Sequence, residues 1–350
     1  MANALEILAG VSAGTHPRED SAPVTDVAVR PDISVVLSTY NRVQVLPLAL
    51  QSLLDQDCAS ARYEVVVVDN NSTDGTRPVV ESFAVKASNL RYVFEPTQGL
   101  SHARNAGILA ARAPLIAFTD DDVRVSRDWV ATIARLFAGH PEAACVGGKV
   151  LPSWAGPWPG WLTREHWSPL ALLDYGDAPF HVNAARRLCL IGANSAYRRE
   201  VFDRVGMFAP RVQAVGREVG TEDHELLLRL WRAGGQGLYW PGLTVMSDIA
   251  PERMRRAYHR RWHHRHGRFS AIMHEEELEQ TSVGRLFGVP GHLYRRAAVE
   301  LAACLGRLLR GDVATAFTHE IGFQFCFGFF RARWREFFSR GRMADTSTAA

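Results

Sequence analysis

The chain has 350 residues, 47% hydrophobic and 22% charged, with a formal charge of +3, an ordinary globular composition with room for one large domain or two smaller ones. So small a charge gives no argument for nucleic acid, and no nucleic-acid partner is expected. Lysine occurs only at Lys86 and Lys149, so the basic charge is almost all arginine, a bias that genome composition alone explains. Five scattered cysteines (Cys58, Cys145, Cys189, Cys304, Cys326) form no CxxC pair and no disulfide framework, so free thiols in a reducing compartment are expected. No basic-then-apolar leader reads as a signal peptide, and no uncharged run approaches the ~20 residues of a membrane span. The expected location is the cytoplasm.

Residues 1–30 lack periodicity and read as a loose leader. Ile33–Tyr40 then reads as a buried strand, followed by a helix over Val43–Leu54 with Leu46, Leu50, Leu53 and Leu54 on one face. Glu64–Val68 is a second strand, ending at Asp69-Asn70-Asn71-Ser72, and Thr73–Thr76 starts a helix to about Ala87. The cycle repeats: strand Leu90–Phe94, helix Ser101–Ala111, strand Leu115–Thr119, then Asp120-Asp121-Asp122 and a helix capped by Ser126 that reaches Phe137. Short apolar strands alternating with helices predict an α/β fold with a mainly parallel central sheet flanked by helices. Beyond Pro152 the texture changes. Trp154, Trp158, Trp161 and Trp167 crowd a Pro- and Gly-rich stretch, Leu188–Tyr197 resembles a strand with a turn, and Gly220–Ala233 a strong helix. Residues 251–268 hold seven arginines and four histidines against one glutamate, and the rest, about Gly284–Arg342, reads as a helical C-terminal region.

Ligands of such sheets bind beyond the carboxyl ends of the strands, where Thr39–Arg42, Asp69–Ser72 and Asp120–Asp122 all fall. Three consecutive carboxylates repel one another, and a hard divalent cation would compensate them while holding a diphosphate; a solvated turn is the plainer alternative. Asp69–Ser72 offers groups that read a nucleobase and ribose, or simply makes a turn. Ser38–Arg42 supplies hydroxyls, an aromatic face and a guanidinium, or a helix cap. Arg104, at the start of a helix, would fork onto a phosphate or base, or lie on the surface. Asp223, in Gly220-Thr221-Glu222-Asp223-His224-Glu225, is either a general base for an acceptor hydroxyl or one of several acids favouring a helix start capped by Thr221.

Together and in this order the segments Val35–Arg42, Val65–Thr76, Gly99–Gly107, Phe118–Asp122 and Gly220–Leu226 closely resemble the family 2 glycosyltransferases of the GT-A (Rossmann-like) fold. The resemblance covers about 31–242 and implies a glycosyltransferase domain over 31–250, with a nucleotide-sugar half (31–150) and an acceptor half (151–250), before a basic and helical region at 251–350. It implies inverting transfer of a sugar from a nucleoside-diphosphate donor, with UDP the expected nucleotide and Mg²⁺ or Mn²⁺ the expected cofactor. Thr39, Tyr40, Arg42, Asp69, Asn71, Arg104, Asp120 and Asp121 would form the donor site, Asp122 would ligate the metal, and Asp223 would be the base. A bacterial envelope-polysaccharide role on a glycan or lipid-linked acceptor is the matching expectation.

Two departures matter. Ser247 stands where the family often has a histidine before Pro251-Glu252-Arg253, so either neighbouring Asp248 substitutes as a metal ligand or the metal has one protein ligand fewer. Tyr258-His259-Arg260-Arg261-Trp262 has tyrosine where processive members carry glutamine, so a single transfer is expected. For the basic segment the readings are a flexible lid over the diphosphate, attraction to lipid headgroups, or a solvated helix. The aromatic and basic tail, Ile321–Phe338, suits either peripheral membrane association through 251–342 or docking on the catalytic domain. The alternatives are a non-catalytic nucleotide-sugar binder and a nucleotidyltransferase. The latter would need a glycine-rich, lysine-bearing loop after the first strand, and Asn41-Arg42-Val43-Gln44 is not one.

Overall fold

The computed structural model describes residues 30–154, 156–210, 222–273, 276–279 and 284–347. The expected leader up to residue 29 and the Gly220-Thr221 helix opening lie outside them.

The chain runs β1 (Ile33–Thr39), α1 (Leu46–Leu54), β2 (Tyr63–Asp69), α2 (Thr76–Ala84), β3 (Leu90–Phe94), α3 (Leu100–Ala110), β4 (Leu115–Asp120), β5 (Val123–Val125) and α4 (Trp129–Gly139). It continues with β6 (Cys145–Ser153), β7 (Phe180–Val182), β8 (Ser195–Arg198), α5 (Glu200–Val205), α6 (Glu222–Arg232), β9 (Gly237–Asp248), α7 (Arg256–Met273), α8 (Gly291–Leu309) and α9 (Val313–Ser347). Nine strands form one sheet in the order β3-β2-β1-β4-β8-β6-β9-β5, with β7 paired to β9. β3, β2, β1 and β4 are mutually parallel, and β8 is antiparallel to both β4 and β6.

The first half follows from local pattern. Every residue of β1 and β2 is buried, as expected of parallel strands covered on both faces, which read as unbroken apolar runs. Pro47 lies in the first turn of α1, where its missing N–H costs nothing, so the helix starts at Leu46 rather than Val43. Register then aligns the chemistry, because Ser38 pairs with Asp120 and Thr39 with Asp69.

One expectation is corrected here. Ser126 does not cap α4: its hydroxyl donates to Asp128 Oδ1 (2.7 Å), and the helix starts only at Trp129. Within Leu188–Tyr197 the expected turn is a 3₁₀ turn over Gly192–Asn194, and the strand, β8, begins after it at Ser195.

The basic segment is neither a lid loop nor a solvated helix, but a helix packed against α9. Backbones touch at the crossing. A Cβ on Gly267 would lie 1.9 Å from Phe325 O, and one on Gly328 would lie 1.8 Å from His264 O. Arg260 forks onto Glu320 of α9 at 2.5 and 2.9 Å. Burial drives His263 and His266 down to about 3 and His259 to about 4, so three of the four histidines add no positive charge near neutral pH. A second apolar core, including Ala271, Leu293, Cys326, Phe329 and Phe330, joins α7, α8 and α9. The tail therefore docks most of its aromatics inward, leaving Phe327, Phe337 and Phe338 exposed.

Candidate active site

The ends of β1, β2 and β4 are stapled into one rim by short polar side chains. Asn41 and Asn71 adopt φ of 51° and 65°, a left-handed conformation that asparagine tolerates. Asn41 Oδ1 accepts the Thr73 N–H at 2.7 Å, and Ser72 Oγ accepts the Asn41 N–H at 3.0 Å. Asp69 is buried with both oxygens engaged, one by the Ser72 N–H (2.9 Å) and one by the Tyr92 hydroxyl (2.8 Å). Burial and that bond push the Tyr92 phenol up to about 12. Asn70, named in the sequence only as part of the Asp69–Ser72 cluster, ties this rim to α3: its side chain donates to Thr97 O (2.7 Å) and accepts the Gly99 N–H (2.7 Å). Tyr40, Arg42 and Asn71 are exposed or half-exposed at the mouth.

The three aspartates occupy distinct environments. Asp121 is buried, accepts from the Thr39 hydroxyl at 2.8 Å, and is pushed up to about 7 by burial and then by Asp122. Asp122 is likewise raised, by burial first and Asp120 second, against the pull of Arg42 at 3.4 Å and Arg253 at 4.0 Å. Asp120 lies 3.4 Å from Arg104. The three aspartates offer only oxygen donors, a set that fits a hard divalent cation, with Arg42, Arg104 and Arg253 within 4.0 Å of them. Asp248 is carried beside them, its N–H donating to Asp122 O (2.8 Å) as β9 pairs with β5. Its carboxylate, however, is held by Arg124 at 2.7 Å, and Ser247 is buried.

Arg104 is buried rather than presented on the surface. Its guanidinium meets Glu222 at 2.6 Å and Asp120 at 3.4 Å, with Phe208 5.3 Å from the cation. Its fork is therefore occupied by carboxylates, and a nucleotide phosphate would have to displace one. Burial lifts the Glu222 carboxyl while Arg104 lowers it, and the first effect is larger. Glu222, which adjoins Asp223, reads in the sequence only as one of the acids favouring the helix start. Asp223 is fixed by two backbone donors, Gly192 N–H at 2.9 Å and its neighbour His224 N–H at 2.8 Å. Gly192 must lack a side chain, because a Cβ there would come within 2.5 Å of the Arg104 guanidinium.

Of the expected site residues Asp120, Arg104 and Asp223 line one cavity of about 600 Å³, whereas Thr39, Tyr40, Arg42, Asp69, Asn71, Asp121, Asp122 and Asp248 are not in its lining. Asp120, Asp174, Glu222, Asp223, Arg104, Arg164 and Arg253 supply its charge, and Trp167, Tyr175, Tyr258 and Trp262 supply aromatic wall. Of the four clustered tryptophans only Trp167 reaches it. Trp161 instead packs on Phe317 and His259 at 4.8 and 5.0 Å between centroids. Tyr258 and Trp262 belong to α7, so the C-terminal helices help to build the site. Their recruitment, like that of Arg253, has no signal in local pattern.

Comparison with known proteins bears on the family and the fold. A model of glycosyl transferase family 2 matches residues 34–206. Validoxylamine A glucosyltransferase of Streptomyces hygroscopicus subsp. jinggangensis is 40% identical over 155 residues, 43% of this chain and 36% of that protein. Glucosyl-dolichyl phosphate glucuronosyltransferase of Haloferax volcanii is 25% identical over 207 residues, 58% of this chain and 64% of that one. The chain thus spans from about a third to just under two thirds of these relatives' lengths. Among solved structures, the mannosyltransferase PcManGT of Pyrobaculum calidifontis, in complex with GDP-Man and Mn²⁺, aligns over 87% of this chain and 88% of its own with a TM-score of 0.58 and 21% identity. Residues 1–349 of S. aureus TarS, in complex with UDP, align over 86% and 91% with a TM-score of 0.52 and 17% identity. From the ordered strand-end motifs, the sheet that aligns them and the matching family model, residues 34–206 of the chain form a glycosyl transferase family 2 domain, and the fold is of the GT-A type.

Proposed function

We propose that this protein transfers a sugar from a nucleoside-diphosphate donor to an acceptor hydroxyl, with inversion and in a single transfer. The observation that carries this reading is the convergence of Asp120, Arg104, Glu222, Asp223 and Arg253 on one aromatic-walled cavity. Thr39, Tyr40, Arg42, Asp69 and Asn71 form the nucleoside rim, with Asp120 toward the ribose or base. Asp121, buried and bonded to Thr39, holds the rim in shape. A divalent ion held by Asp122 would neutralise the departing diphosphate; with Asp248 held by Arg124, Asp122 is its main protein ligand. The use of Mn²⁺ by the GDP-Man complex of PcManGT supports such an ion, and that complex together with the TarS complex with UDP supports a nucleoside-diphosphate donor.

The Asp223 carboxylate, oriented by the Gly192 and His224 N–H groups, takes the proton of the acceptor hydroxyl. That oxygen attacks the anomeric carbon as the bond to the diphosphate breaks on the opposite face, and Arg253 approaches the same charge. Trp167, Tyr175, Tyr258 and Trp262 suit the faces of a polyhydroxylated ring in the acceptor. That wall favours a glycan-like acceptor or the sugar end of a lipid-linked one.

No helix among the described residues is long and apolar enough to cross a membrane. Peripheral attachment has a more specific basis in α8, which exposes Leu301, Leu305, Leu308 and Leu309 along one face beside Arg310. Flotation with anionic vesicles that is unaffected by Leu305→Glu/Leu308→Glu would rule that surface out.

The central test follows nucleoside diphosphate release from a panel of nucleotide-sugars with Mn²⁺ or Mg²⁺, with and without lipid extract. Asp223→Asn is expected to abolish transfer while donor binding persists, and Asp122→Asn to weaken metal-dependent donor binding. Absence of both release and metal-dependent nucleotide binding across the panel would refute the enzymatic reading.

A further inference from the structure

A second constellation of metal-donor groups lies at the other end of β4, where Leu115 pairs with Arg198, about 16 Å along the strand from Asp120. His140 Nδ1 is 3.2 Å from Glu142 Oε1, and His181 Nε2 is 3.7 Å from the same oxygen. All three donor atoms fall within 4.8 Å of one another. Two ligands on a tetrahedral ion bound at 2.0–2.1 Å stand about 3.3 Å apart, so the trio is close to the spacing an ion would impose.

The backbone beneath these side chains is fixed in advance. His140 and Glu142 flank Pro141 on the turn leaving α4, closed by the Ala143 N–H on His140 O at 3.1 Å. The Arg198 guanidinium pins that turn from below, donating to Phe137 O, His140 O and Ala143 O at 3.0, 3.3 and 3.0 Å. His181 lies on β7, in register with Leu238 of β9. Ligands on rigid elements lose little freedom when an ion binds. The donor chemistry is also selective. Two imidazoles and one carboxylate suit Zn²⁺ and its borderline-soft neighbours, whereas the all-oxygen set at Asp122 suits Mg²⁺ or Mn²⁺.

We propose that His140, Glu142 and His181 form a second, zinc-type metal site that clamps β7 to the turn after α4. β7 opens the segment that continues through Cys189 and Ile191 in the cavity wall to Gly192, so the clamp braces the strand feeding that wall. The proposal does not depend on the sugar-transfer reading.

The test uses the full chain, stripped by chelator and titrated with Zn²⁺ against a chromophoric competitor, and with Co²⁺ followed by visible absorption. One equivalent is expected to bind with a tetrahedral Co²⁺ spectrum, unchanged in Asp122→Asn and weakened at least about tenfold in His181→Ala and His140→Ala, since loss of even an outer-shell partner costs about 10–100-fold. Zinc at 100 times the wild-type dissociation constant should favour the folded state about 100-fold in wild type and about tenfold or less in His181→Ala. His181 is exposed, so metal-free melting of that variant should match wild type; His181→Asn serves as the second variant if it does not. A His–Glu–His cluster joined only by hydrogen bonds would bind no stoichiometric metal, which would overturn the proposal. So would binding that survives both histidine substitutions, or that is lost on Asp122→Asn.

Discussion

Replacing Arg104 by methionine probes the link between the two halves of the site. The side chains of Arg104 and Glu222 are 4% and 3% exposed, with N and O 2.6 Å apart. With charge centres about 4 Å apart and an effective dielectric constant of about 20, their attraction is about 4 kcal/mol. Breaking one half of a buried pair costs about 3–5 kcal/mol, because the partner is left charged and dry. Methionine keeps an apolar stem against Phe208 and Phe118, so packing loss contributes little. Arg104→Met should therefore destabilise the fold by about 4 kcal/mol at pH 8. Arg104→Met/Glu222→Gln should recover about 2 kcal/mol of that, as coupled neighbours do. The pH dependence has a definite sign. Burial already raises the folded Glu222 carboxyl, and loss of Arg104 raises it further. A carboxyl held above its unfolded value stabilises below the ordinary carboxylate range, and that contribution is lost as pH rises through the folded value. The variant's deficit should therefore be larger at pH 8 than at pH 5. Guanidinium unfolding of wild type, both singles and the double supplies the cycle. Strict additivity, or a deficit that does not change with pH, would refute the reasoning.

Three further outcomes are expected. Gly267→Ala places a methyl against Phe325 O at the α7–α9 crossing and should cost about 1–3 kcal/mol or more, with the C-terminal helices cleaved faster in limited proteolysis; wild-type resistance would mean the crossing is not tight. Tyr92→Phe removes the hydroxyl that donates to buried Asp69, so the unfolding midpoint should fall by the equivalent of about 1–2 kcal/mol, and an unchanged midpoint would show the bond to be dispensable. His266, held down at about 3 by burial, takes up its proton more readily when unfolded, so stability should fall as pH drops from the ordinary histidine value toward that level. The loss should be at most about 3 kcal/mol by pH 4.5, and an equally steep acid slope in His266→Gln would assign the effect elsewhere.

The sequence alone determined the first half of the fold and the rim of the site. β1, β2 and the middle of β4 are buried, so their apolar runs are visible without knowing what covers them, and the polar residues that end each run mark the rim. Thr39, Asp69 and Asp120 follow from that logic, and register places their strand ends side by side. β6, β7 and β9 are not legible in the same way: β9 carries Pro241 and Gly242, and its pairing with β6 shifts register between Gly147 and Lys149. Nor does periodicity disclose that Arg104 meets Glu222, 118 residues away, or that Asp248 is held by Arg124. The same limit hid the part of α7, where a run that reads as loose positive charge contributes Tyr258 and Trp262 to the cavity because α9 holds it there. Periodicity records what a segment buries, which is local. Which carboxylate neutralises which arginine, and which aromatic walls the cavity, depends on contacts that exist only once distant segments have packed.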